Sequence, residues 1–142
     1  MRRLDLALAL APIAGLLTSC RMTSQTQDIS RLTDDFVYGS LALSPVSATS
    51  AGYHEHNGVK LDEKLDDYSD AGFQAQGRFF GGFHDRLAQV KLDHLSDQER
   101  ADYQILTNQT ELALLELNEI RSYRHNPTIY VELVGNALFT PS

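Results

Sequence analysis

His54-Glu55-His56, in a chain of 142 residues, is the first grouping with the parts needed for metal chemistry. Two imidazoles beside a carboxylate can hold zinc and activate its water, but a zinc-protease helix needs H-E-x-x-H so that both rings share one face. Here His56 follows Glu55 directly and Asn57-Gly58 comes next, so the second His is out of place and Gly58 would break such a helix. The pair reads as solvated loop histidines. His84, His94 and His125 stand singly, without ligand spacing. Asp62, Glu63, Asp66 and Asp67 form an acidic cluster. Close carboxylates can do acid–base work or hold calcium. No EF-hand pattern surrounds these, and they read as a solvated face. Serine nucleophile elbows, phosphate loops, dinucleotide fingerprints and paired cysteines are absent. The sequence therefore nominates no catalytic residue, no metal ligand and no cofactor within this chain.

Cys20 is the one remaining reactive group and the only cysteine. Met1-Arg2-Arg3 is positively charged, residues 6–17 are almost wholly apolar, and Thr18-Ser19 are small. That order is a secretory signal peptide over residues 1–19, and its apolar run is too short for a helix across a bilayer core of roughly 30 Å. Leu17-Thr18-Ser19-Cys20 resembles the bacterial lipobox. The resemblance implies diacylglycerol on the Cys20 sulfur, cleavage before Cys20 and acylation of the new amino terminus. Stable anchoring needs more than one acyl chain, each buried methylene contributing about 0.8 kcal/mol, and a triacylated Cys20 meets that need. The expected site is thus lipidation at Cys20, the expected partner membrane lipid, and the expected location the periplasmic side of the bacterial envelope. Residues 20–27 would be the lipidated Cys and a polar tether.

The remainder, residues 28–142, must supply the fold. Its composition is globular, with 42% hydrophobic and 22% charged residues in the whole chain. The net charge of -7 argues against nucleic acid and anionic lipid as partners of the folded part. A single cysteine makes no internal disulfide, so packing alone must hold the fold. The pattern predicts an all-α region of about five helices. Ile29, Leu32, Phe36, Val37 and Leu41 place the first at 29–43. Ser44-Pro45 ends it and opens a short second helix to Gly52, with Ser44 as N-cap. Residues 53–68 form a long connection with a tight turn at Asn57-Gly58.

Ser69 caps a third helix, 70–92, along which Phe73, Phe80, Phe83, Leu87 and Val90 make a stripe. Its Gly77 and Gly81 mark either close approach of another backbone or a kink near Gly81-Gly82. Ser96-Asp97-Gln98-Glu99 is a capping box opening a fourth helix to about Ser122. Its apolar face covers more than half the circumference, which calls for several neighbours. Asp102, Gln109 and Glu116 recur every seven residues inside that sector. Buried, they would need partners or would line a cavity; the favoured reading is partial cover, with the seam meeting water. Asn126-Pro127 begins the fifth helix, whose Val134, Leu138 and Phe139 need a partner, so the sequence reads as cut short.

Five motifs in order, Ser44-Pro45-x-Ser47-Ala48-Thr49, then Gly52, then Leu65-Asp66-Asp67-Tyr68-Ser69, then Leu95-Ser96-x-x-Glu99-Arg100-x-Asp102-Tyr103, then Asn126-Pro127-x-x-Tyr130, resemble the N-terminal part of the bacterial domain of unknown function 885 family. Its members are large, mainly helical proteins, often lipoproteins, and look like distant relatives of helical zinc peptidases. Their H-E-x-x-H-type segment lies far downstream, so no catalytic or metal residue carries over. The resemblance implies a non-catalytic helical region, part of a larger peptidase-like fold, whose partners are later helices of the same chain. Zinc and peptide substrate would belong to the parent protein. The alternative is a complete small envelope lipoprotein acting as a binding or structural module.

Overall fold

Two serines set the frame. In the computed structural model, which describes residues 23–139, the Ser69 hydroxyl accepts the Gly72 amide and opens helix α3, Asp70–Leu87. Ser96 and Glu99 close a reciprocal capping box at the start of α4, Asp97–Leu115. Each cap satisfies donors that the first helical turn leaves open. Around this pair lie α1, Thr23–Ala42, and α2, Pro45–Ser50. A minimal antiparallel hairpin, β1 Glu55–His56 and β2 Val59–Lys60, falls in the long connection. The single-turn α5, Ser122–His125, and then α6, Thr128–Phe139, complete the order. The fold is mainly helical, as the pattern predicts.

The core forms where α1, α3 and α4 meet. Ile29 and Leu32 of α1, Phe83 and Leu87 of α3, Leu95 just before α4 and Leu106 of α4 are buried together, flanked by Phe36, Phe79, Val90 and Tyr103. Spacings of three and four residues put these side chains on one face of each helix. Phe36 meets Phe83 edge-on, centroids 5.2 Å apart. Each large apolar side chain so buried contributes about 1.5–3 kcal/mol.

Several boundaries differ from the sequence pattern. α1 begins at Thr23, inside the polar stretch expected to be a tether. Once packing of Ile29 and Leu32 fixes the helix, extending it by a residue is nearly neutral, so polar turns propagate N-terminally. α3 stops at Leu87 instead of running to residue 92. The Gln89 side chain donates to the Asp85 carbonyl, and Val90 N–H bonds back to Leu87, closing the last turn so that Val90 folds onto the core. A 3-10 turn, Leu92–His94, follows.

α4 widens into a π-type turn, Glu116–Ile120, closed by the Arg121 amide on the Glu116 carbonyl at 2.7 Å. Arg121 then adopts a left-handed conformation (φ 54°), which ends the helix before residue 122. Neither reading of the helix-three glycines holds. α3 is continuous through Gly81-Gly82, and a Cβ at Gly77, Gly81 or Gly82 would meet nothing within 4 Å. The close approaches are at Gly39, against the Phe79 ring, and Gly72, against the Asp67 carbonyl.

Candidate functional site

The acidic cluster is exposed at Asp62, Glu63 and Asp67, as a solvated face should be; only Asp66 is partly buried, and Asp62, Asp66 and Asp67 are bonded to neighbouring residues as well. Asp66 Oδ1 accepts the Val46 amide at 3.0 Å, and Oδ2 accepts the Ser44 hydroxyl at 2.9 Å. Ser44 occupies the N-cap position of α2 but makes no side-chain cap bond; Asp66, twenty residues beyond the Val46 amide it accepts, caps the helix instead. A charged acceptor makes the stronger bond and suits the positive end of the helix. Asp62 accepts from Thr49 Oγ1 at 2.8 Å and from His54 Nδ1 at 2.9 Å. Those bonds, His54 first, hold its carboxyl below the usual carboxylate range. The Ser69 hydroxyl and amide do the same for Asp67. Glu63 is exposed beside Lys60.

His54 and His56 sit on the hairpin, His56 paired with the Tyr53 hydroxyl at 2.8 Å. Asn57 and Gly58 both have positive φ (49° and 78°), as a two-residue turn of this kind requires. Among the described residues no three His, Cys, Asp or Glu side chains gather as a metal-ion set. Nor is any described helix long and apolar enough to cross a membrane. Cys20, the signal peptide at 1–19 and the start of the expected tether lie outside the described residues.

What the acidic loop does build is one wall of a cleft of about 690 Å³. Ser44, Val46 and Asp66 line it from α2 and the loop, Phe73, Gln76 and Phe80 from α3, Glu116 and Leu117 from the end of α4, and Ile129, Glu132 and Leu133 from α6. The π-type turn aims Glu116 here, where its Oε1 accepts the Ser122 amide at 2.8 Å and caps α5. Phe73 stacks on Tyr123, centroids 3.8 Å apart and planes 24°. Tyr68 touches both Phe73 and Tyr130, and the Tyr130 hydroxyl donates to the Tyr123 carbonyl. Partial burial, then the charges of Asp66 and Glu132, raise the Tyr68 hydroxyl above the ordinary tyrosine range.

The heptad seam divides. Gln109 is exposed as expected; Asp102 is half-buried beside Gln98; Glu116 walls the cleft. The one fully buried polar side chain among the described residues is one the pattern passed over, Thr110, whose hydroxyl donates to the Leu106 carbonyl at 2.7 Å. Three of the stretches that carried the family resemblance supply Ser44, Asp66, Tyr68 and Asn126 to this single cleft. Compared with family models, curated proteins and solved structures, the chain matches none.

Proposed function

We propose that this chain is the non-catalytic, helical N-terminal region of an exported protein anchored by acylated Cys20, from a family resembling zinc metallopeptidases. Its work is scaffolding: it tethers the parent protein to the envelope membrane and packs beneath later helices. The observation that carries this reading is apolar surface left uncovered. Val131, Val134 and Leu138 are 71%, 56% and 72% exposed and share one face of α6. Ile105 and Leu112, each 58% exposed, do the same on α4. Thirteen large hydrophobic residues are exposed among the described residues, against eight buried hydrophobic ones, a ratio suited to an interaction face. In this proposal zinc and peptide substrate engage downstream residues of the parent.

The test compares this chain with a version extended by the later helices that the proposal requires. Alone, it should bind an apolar dye and melt at a lower temperature; joined to later helices, it should lose dye binding and melt higher. No dye binding by the chain alone, and no rise in its melting temperature on adding later helices, would favour the second reading, a complete small lipoprotein serving as a binding module, which the cleft supports. Mass spectrometry of Cys20, with Cys20→Ser as control, checks the anchor in either case.

A further inference from the structure

We infer that the cleft between α2, α3, α4 and α6 is a binding site for a small organic cation with an aromatic or apolar body. Asp66, Glu116 and Glu132 line it, and no Lys, Arg or His does. None of the three forms an ion pair among the described residues. Three like charges around one space repel one another unless a cation joins them. Asp66 and Glu116 are held by the amides they cap, so the negative field is fixed before any ligand arrives. Burial first, and then the charges of Asp66 and Glu132, raise the Tyr68 hydroxyl at the same wall.

The other half of the recognition is aromatic. Tyr68, Phe73 and Tyr123 line the cleft in a continuous run of rings that Tyr130 extends beyond its lining; Phe73 stacks on Tyr123, whose ring also carries the Arg124 guanidinium 5.6 Å from its centroid. Ring faces attract cations, most of all weakly hydrated ones such as quaternary ammonium or guanidinium. The volume, about 690 Å³, lies in the range of small-molecule sites and far exceeds a bare ion. The carboxylates also stand on separate elements and form no metal-ion set. Size and ring chemistry together select an organic cation over a metal. The inference does not rest on the scaffold reading, because the cleft is bounded wholly by elements of this chain.

The test is titration of the ¹⁵N-labelled full chain, in a non-ionic detergent, with benzyltrimethylammonium and with phenethylammonium. Benzyl alcohol serves as the uncharged control. At least one cation should bind saturably, shifting the amides of Tyr68, Tyr123 and Glu132. Benzyl alcohol should bind about tenfold more weakly. Glu132→Gln should weaken the cation about threefold, and high salt should do likewise. Glu116→Gln, which keeps an acceptor for the Ser122 amide, gives the same test from the opposite wall. Circular dichroism confirms that both variants keep the fold. Saturable binding by neither cation, equal binding of benzyl alcohol, shifts confined to residues outside the cleft, or indifference to both variants would each overturn the inference.

Discussion

At the scale of single residues, the carboxylates act as caps and staples. Asp66 does for α2 what Ser44 was expected to do. Asp66→Ala should therefore cost about 1–2 kcal/mol in urea unfolding, and Ser44→Ala distinctly less; the reverse order would mean that the serine is the true cap. Asp62 and Asp67 have folded values below their unfolded ones. Groups shifted in that direction contribute stability that is present above the unfolded carboxylate range and lost as pH falls through the folded value. The urea midpoint should thus drop on acidification below about pH 4, and the Asp62→Asn, Asp67→Asn double variant should flatten that drop. Part of this was legible beforehand. An Asn57-Gly58 turn pairs His56 with Val59 and Glu55 with Lys60, which sets His54 opposite Leu61 and next to Asp62. The reach of Asp66 back to α2 was not legible, because no local pattern encodes a contact between residues twenty apart with a hairpin between them.

At the scale of elements, the glycines show why composition alone misleads. Gly77 and Gly81 lie in α3 with open space where a side chain would go. Alanine there should stabilise by up to about 1 kcal/mol each, read as a rise in midpoint. Gly72, in the first turn of the same helix, faces the Asp67 carbonyl; its alanine variant should destabilise by about 1–3 kcal/mol, since backbone must move. One helix thus carries glycines with opposite predicted signs, and a gain at Gly72→Ala would refute the close packing of loop on helix. Spacing could locate α3 and α4, whose caps are written in Ser69 and Ser96-x-x-Glu99. It could not show that α4 would open into a π-type turn. That choice is made by Glu116 bonding Arg121 and Ser122 at once, a gain visible only when the chain has already turned.

At the scale of the whole molecule, the question is how much apolar surface these helices hide among themselves. The buried group draws on α1, α3, α4 and the turn before α4, whereas α6 joins the rest through the ring run from Tyr68 to Tyr123. The wide apolar sectors of α4 and α6 were plain in their spacing, and so was the all-helical class. Which side would be covered was not plain, because an amphipathic face specifies that it needs a partner without saying which one. This separates two kinds of substitution. Leu106→Ala, in the core, should cost about 2–5 kcal/mol in this chain. Val131→Ser with Val134→Ser, on the open face of α6, should change stability by less than about 0.5 kcal/mol while lowering dye binding. In a chain extended by later helices, the scaffold proposal requires the sign of that result to change: the same double substitution should destabilise, because the two valines would then sit inside a core. A neutral outcome in both contexts would leave the α6 stripe as ordinary surface and remove the main support for later helices packing on it.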